Sequence, residues 1–292
     1  MLTFPAPAKL NLTLEVLGKR PDGFHEIRSI MQTVNLCDSL KFHPGNSLII
    51  NSAMPGWNAE ESLVSRAASL LRETTGCPKG AAVEVEKRIP LVSGLGGDSS
   101  DAAATLLGLN KLWELDLTRE KLLELAAQLG SDVSFFLHGG TVMAEGRGEI
   151  VTPLPPLPTM WAVLIVPDVP RLPGKTKRLY ESLKPGHYTD GQITARLAAA
   201  LREGNKITPQ FLFNTFENVA FADFNIRRVY VEHLIKLGAP HVHLAGSGPT
   251  LFTLLKDGEQ AEDLYIRCKN QGMEAYLVGT GRYGEKKWGI NS

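Results

Sequence analysis

The sequence predicts an α+β fold in two domains, on three observations. Strand-like and helix-like periodicities mix in both halves of the chain, without the regular alternation of a doubly wound sheet. The length of 292 residues corresponds to about two domains at roughly 150 residues each. A proline-rich stretch at residues 153–158 separates two periodic regions. The domains expected are residues 1–152 and 159–292.

The elements follow in order. Leu10, Leu12, Leu14 and Val16 alternate with Lys9, Asn11, Thr13 and Glu15, which predicts a half-buried strand with Lys9 and Asn11 one pleat apart on its polar face. Pro21, Asp22 and Gly23 predict a turn directly before Phe24 and His25. Residues 60–73 carry an apolar helical stripe through Leu63, Ala67, Leu70 and Leu71. Residues 82–88 alternate as a strand. They lead into the glycine-rich segment and a helix over 102–113, with Ala102, Leu106, Leu109 and Trp113 on one face. A second helix is expected over 118–129, capped by Thr118 and stopped by Gly130. Ser131 and Asp132 then open a short apolar segment, 133–137, and Gly139 and Gly140 turn the chain. Beyond the boundary, 161–166 reads as a buried strand. A basic loop carrying Arg171, Lys175, Lys177 and Arg178 follows, then helices over 189–203 and 226–237. Strands at 242–245 and 251–255 flank a tight turn, and a helix over 259–271 precedes a last strand at 274–278.

Composition bounds the function. Lys plus Arg and Asp plus Glu each total 31, so the net charge is zero. That disfavours bulk phosphate neutralisation along a nucleic acid, and no basic stripe is interleaved with aromatics. The zero hides a split: residues 1–150 carry 14 basic and 18 acidic side chains, residues 151–292 carry 17 and 13. Cys37, Cys77 and Cys268 are scattered and form no CxxC pair, which speaks against a disulfide framework or a zinc site and fits a reducing compartment. The N-terminus has no apolar signal core, and the apolar run at 160–166 is about a third of a membrane span. A soluble, cytoplasmic protein with no membrane or obligate protein partner is expected.

The chemistry concentrates in Gly94, Leu95, Gly96, Gly97, Asp98, Ser99 and Ser100, between a strand and a helix. Such glycines let backbone N–H groups converge on an anion at the positive end of the helix. The spacing matches neither a Walker A loop nor a dinucleotide fingerprint. On these residues alone, two readings stand: a phosphate-binding loop, or a flexible turn with a capping box made by Asp98 and Asp101.

Further motifs occur in order along the chain. They are Pro7-Ala8-Lys9-Leu10-Asn11, Arg20-Pro21-Asp22-Gly23-Phe24-His25, Ile89-Pro90 with the glycine loop to Ala103, Gly130-Ser131-Asp132, and Gly246-Ser247-Gly248-Pro249-Thr250. Together they resemble the small-molecule kinase superfamily named for galactokinase, homoserine kinase, mevalonate kinase and phosphomevalonate kinase. The resemblance spans nearly the whole chain. The N-terminal signatures resemble those of the kinases that phosphorylate the 2-hydroxyl of a cytidine-diphosphate derivative of methylerythritol, in non-mevalonate isoprenoid biosynthesis.

The resemblance implies ATP as phosphoryl donor, with magnesium, whose protein ligands it leaves unknown. It implies a cleft between two domains and a role for each motif residue. Asp132 resembles the carboxylate that accepts the hydroxyl proton or orients the hydroxyl, and Lys9 its cationic partner. Without the resemblance these would read as a helix cap and a solvated strand residue. Asn11 would contact the acceptor alcohol. Phe24 would stack on the cytosine, His25 would bond its edge, and Tyr180 would supply a second stacking face; the plain alternatives are partial core and turn. Pro90, Leu91, Val92, Ser93, Gly94, Leu95, Gly96, Gly97, Asp98, Ser99 and Ser100 would wrap the ATP phosphates. Lys87 aligns with a lysine near the adenine; otherwise it is a strand-end surface residue. Gly246, Ser247 and Gly248 would close on the same site, or else form a simple hairpin turn. The basic loop at 171–178 could face the substrate's diphosphate or stay solvated.

Three positions depart from the family pattern. Asp98 stands where glycine is usual and is expected to cap the helix. Ser62 replaces a common Asn, and Ala245 a Ser or Thr. A sibling kinase with another acceptor and a non-catalytic nucleotide sensor are the competing readings; the joint presence of Lys9 and Asp132 speaks against the sensor.

Overall fold

The computed structural model describes residues 1–170, 174–223 and 228–280. Arg171 and the start of the helix expected over 226–237 lie outside the described residues.

Two sheets organise the molecule. The larger begins with two long antiparallel strands, β1 (Leu2–Lys19) and β2 (His25–Gly45), joined by the turn at 20–24. In that turn Asp22 accepts from the Phe24 N–H at 3.0 Å, the local bond for which Asp is favoured there. β3 (Leu48–Asn51) and β4 (Gly80–Glu86) extend the sheet beyond β2. β5 (Thr141–Gly146) pairs with β2, and β6 (Ile150–Pro153) with β5. Against this sheet pack α1 (Leu63–Thr75), α2 (Gly97–Trp113), α3 (Arg119–Leu129) and α4 (Ser131–His138), around a core containing Phe42, Leu71, Trp113 and Phe135.

Residues 154–160 lead to a second, antiparallel sheet of β7 (Trp161–Val166), β9 (His243–Leu244), β10 (Leu251–Leu255) and β11 (Glu274–Gly279), in the order β11-β7-β10-β9. With it come α5 (Lys175–Ser182), α6 (Gln192–Arg202), α7 (Glu217–Asp223), α8 (Arg228–Lys236) and α9 (Gly258–Asn270). One strand returns: β8 (Phe213–Asn214) pairs in parallel with β1. Leu10 and Leu12 of β1 share a core with Leu164 and Phe252 of the second sheet, so β1 is common to both halves. No helix among the described residues is long and apolar enough to cross a membrane.

Several expectations change. β1 is buried on both faces: Lys9, Asn11, Thr13 and Glu15 are buried, as are Leu10, Leu12 and Leu14. The polar face is covered by partners. Thr13 Oγ1 accepts from Thr194 Oγ1 at 2.9 Å and from the Ile30 N–H at 2.9 Å. Glu15 accepts from the Thr194 N–H at 2.6 Å, at the start of α6, whose N-cap Gly191 has no side chain to do so. α2 starts at Gly97, five residues earlier than expected, with Gly96 as N-cap at φ 78°. Asp98 is therefore not the cap but a first-turn residue, and Asp101 is buried rather than part of a capping box. α1 starts at Leu63 because Ser62 caps it, accepting from the Ser65 N–H at 3.2 Å. Lys175, Lys177 and Arg178 lie on α5, not on a loop. Thr118 and Gly130 cap α3 as expected.

Candidate active site

Lys9 sits mid-β1, and its backbone N–H donates to Leu95 O at 2.9 Å, which ties the glycine loop to the strand. Its Nζ donates to Asn11 Oδ1 at 2.6 Å and lies 3.4 Å from Asp132 Oδ2. Asn11 Nδ2 in turn donates to Ser29 Oγ at 2.8 Å, and Ser29 Oγ to Thr13 O at 2.6 Å. A single chain of bonds thus fixes both Lys9 and Asn11. Asp132 is in the first turn of α4, with its side chain 36% exposed, so one buried cation meets one solvent-accessible carboxylate.

The glycine loop is held by close backbone packing. A Cβ at Gly94 would come within 2.3 Å of Ala245 O and 2.8 Å of the Gly248 nitrogen, so only glycine lets the loop meet the 246–248 turn. Thr250 N–H donates to Ser93 O at 3.2 Å, across the same junction. Asn214 Nδ2 donates to both Leu244 O and Gly246 O at 2.8 Å and pins the turn from β8. At the loop's tip Val92 has φ 53°, the left-handed region that β-branched residues avoid.

Lys87 follows β4 and is enclosed. Its Nζ contacts Asp38 Oδ2 at 2.6 Å and Asp101 Oδ2 at 2.7 Å, with Asp98 Oδ1 at 3.7 Å. Burial works against the ammonium, but Asp101 and Asp38 outweigh it and hold the Lys87 pKa above its ordinary value. Burial pushes Asp101 well up, with Lys87 opposing. Asp38 also accepts from the Ile89 N–H at 2.8 Å, so the same carboxylate that pairs with Lys87 positions the start of the loop. The surface-lysine alternative for Lys87 is excluded.

The aromatic end is different. His25 stacks on Tyr180 with centroids 4.8 Å apart, and Tyr180 meets the Phe216 ring edge-on. Burial lowers the His25 pKa, with Lys19 adding to the effect, and burial raises that of Tyr180, with Asp132 adding to it. Phe24 is 54% exposed and carries the Arg147 guanidinium 4.7 Å above its ring.

Lys9, Asp132, the glycine loop, Lys87 and the aromatic end line one cleft of about 970 Å³. Of the residues predicted from sequence, Lys9, Asn11, Phe24, His25, Lys87, Asp132, Tyr180, Gly246, Ser247 and Gly248 line it, as do those of residues 90–99 other than Leu95. Leu95 and Ser100 are buried behind the loop. The sequence does not single out Asp38, Ser29, Asn214 or Arg147, and it offers Lys175 only as part of a basic run that could face the substrate's diphosphate.

Residues 62–140 match the family described as GHMP kinases N terminal domain. Over 280 residues, 96% of this chain and 98% of the other, the sequence is 51% identical to the 4-diphosphocytidyl-2-C-methyl-D-erythritol kinase of Dehalococcoides mccartyi. The chain belongs to the 4-diphosphocytidyl-2-C-methyl-D-erythritol kinase family. It is a kinase, and the mixed two-domain architecture is that of its superfamily. A crystal structure of 4-(cytidine 5'-diphospho)-2C-methyl-D-erythritol kinase superposes with a TM-score of 0.81 at 34% identity, covering 96% of this chain and all of that one. A homoserine kinase from Cytophaga hutchinsonii shares the fold, with a TM-score of 0.73 at 19% identity over 96% and 94% of the two chains.

Proposed function

We propose that the protein transfers the γ-phosphoryl group of ATP to the 2-hydroxyl of 4-diphosphocytidyl-2-C-methyl-D-erythritol, giving the 2-phosphate and ADP. The observation that carries this is the Lys9–Asp132 pair at 3.4 Å, opening on the cleft that the glycine loop walls. In the reaction the substrate oxygen forms a bond to the γ-phosphorus. The bond to the β–γ bridging oxygen breaks, ADP leaves with the electron pair, and the hydroxyl proton passes to Asp132. Lys9 and Asn11 hold the same hydroxyl in line, which is most of what a loose phosphoryl-transfer transition state requires. Backbone N–H groups of residues 94–97 and the N-terminal end of α2 receive the ATP phosphates.

His25 and Tyr180, with Phe24, form the aromatic end that receives the cytosine. A base entering there would displace or extend the His25–Tyr180 stack. Residues 1–152 contribute the phosphate loop, Lys9 and Asp132; residues 159–292 contribute Tyr180 and the 246–250 turn.

Among the described residues no cluster of three acidic, His or Cys side chains could hold a metal alone. Asp98 and Ser99, in the first turn of α2, line the cleft, and the Asp98 carboxylate is largely exposed there, oxygen donors suited to magnesium arriving with the nucleotide. Asp98 and Ser99 would hold that ion, which would neutralise phosphate charge.

The test is coupled ADP release with the cytidine-diphosphate alcohol, mevalonate and homoserine as acceptors. Turnover is expected with the first alone. Turnover with either of the others and not with the first would overturn the assignment.

A further inference from the structure

The first residue of α5, Lys175, is 8% exposed and lines the cleft shared by Lys9, Asp132 and the glycine loop. Its Nζ makes no hydrogen bond to any described residue. Burial lowers its pKa to about 8. Lys87, also enclosed, is met by Asp38 and Asp101; Lys175 is met by no side chain among the described residues. An uncompensated buried ammonium opposes folding, so its position calls for an anion that the described residues do not supply.

The neighbouring contacts say where that anion lies. Thr176 Oγ1 is 2.9 Å from Ser247 Oγ, which fixes the first turn of α5 to the 246–248 turn. That turn packs on Gly94 of the glycine loop on one side. On the other, a Cβ at Gly246 would lie 3.0 Å from Lys9 Nζ. Lys175 therefore stands where the glycine loop, the 246–248 turn and Lys9 converge, rather than further along α5 where Tyr180 stacks on His25. The four-carbon stem of lysine lets the ammonium swing into the cleft once a charge is there to receive it.

We propose that Lys175 is a phosphate-binding residue that engages the oxygens of the γ-phosphoryl group during its transfer. This rests on the reading of the cleft as an ATP site, and not on the identity of the acceptor.

The experiment measures, by calorimetry, the binding of ADP and of the β,γ-imido analogue of ATP to wild type, Lys175→Met and Lys175→Arg. Thermal unfolding of each without nucleotide runs alongside. For Lys175→Met the account expects about tenfold or greater loss of affinity for the analogue and ADP affinity within about twofold of wild type. Its melting temperature should be unchanged or higher, because a buried unpaired charge has been removed. Lys175→Arg, which keeps the charge, should recover part of the analogue affinity, and Lys175→Met should lower kcat without raising the KM for the acceptor.

Equal loss for ADP and analogue would overturn the γ-phosphoryl assignment. So would unchanged analogue affinity with a raised acceptor KM, which would place Lys175 on the acceptor's diphosphate. A lower melting temperature with parallel loss of all binding would make the lysine structural and also overturn it. Wild type that binds both nucleotides but does not phosphorylate the cytidine-diphosphate alcohol would overturn the acceptor assignment alone. Wild type that binds neither would remove the ATP site and this proposal together.

Discussion

Two lysines in one cleft have opposite surroundings. At the glycine-loop end Lys87 is clamped between Asp38 and Asp101, with Asp98 nearby, and its charge is held in place. Lys175, at the start of α5, is likewise buried and has no counter-charge among the described residues. Lys9 lies between these extremes, sharing its ammonium between Asn11 and the partly exposed Asp132. The difference separates scaffold from chemistry. A cation whose partners are all internal holds the loop in shape, whereas a cation with room for one more partner is available to a substrate.

The largest effect that would sharpen this comparison belongs to the shared case. Asp132→Asn keeps the shape and removes proton acceptance, and should lower kcat by about 10²–10⁴-fold in steady-state kinetics, with the melting temperature unchanged. Next comes the clamped case. Lys87→Met leaves Asp38 and Asp101 facing each other without a cation and should destabilise the protein by about 3–5 kcal/mol, read by denaturant unfolding. If it unfolds no more easily than wild type, Lys87 is not scaffold and the contrast with Lys175 collapses.

At the aromatic end, Phe24→Ala removes a ring that is 54% exposed, so folding should not change. The KM for the cytidine-diphosphate substrate should rise roughly tenfold, since base stacking contributes about 1–3 kcal/mol.

A subtler effect concerns pH. The folded-state pKa of Lys175 falls to about 8 from an ordinary 10.5, so the unfolded chain binds this proton more readily between those values. The resulting destabilisation is fully present below about pH 8 and fades as pH rises towards 10.5. The stability advantage of Lys175→Met over wild type should therefore narrow over that range in paired denaturant titrations. The smallest effect lies at the loop tip. Val92→Gly relieves a φ of 53° and should raise stability by about 1 kcal/mol at most.

How much was legible in the sequence depended on how local the physics is. Thr118 and Gly130 announce the ends of α3 because capping is settled within one turn of helix. The shared face of Lys9 and Asn11 follows from the two-residue period of a strand. Its burial does not, because the partners Ser29, Thr194 and Asp132 come from distant parts of the chain. β2, 21 residues long, left little alternating signal, since buried polar residues such as Ser29, Gln32 and Thr33 share it with Ile30 and Met31. Asp98 reads locally as a cap. The structure instead gives the cap to Gly96, in the left-handed conformation, and turns Asp98 toward Lys87. In sequence Lys175 is one of several basic residues, and only the tertiary fold shows that it has no partner among the described residues.

The measurement that bears most directly on the site is a single-turnover assay with ATP and the cytidine-diphosphate alcohol, run with wild type, Asp132→Asn and Lys9→Met, each first shown to be folded and to bind nucleotide. The account predicts formation of the 2-phosphate by wild type and slowing of the chemical step by about 10²-fold or more in each variant. Variants that transfer the phosphoryl group at the wild-type rate would contradict it.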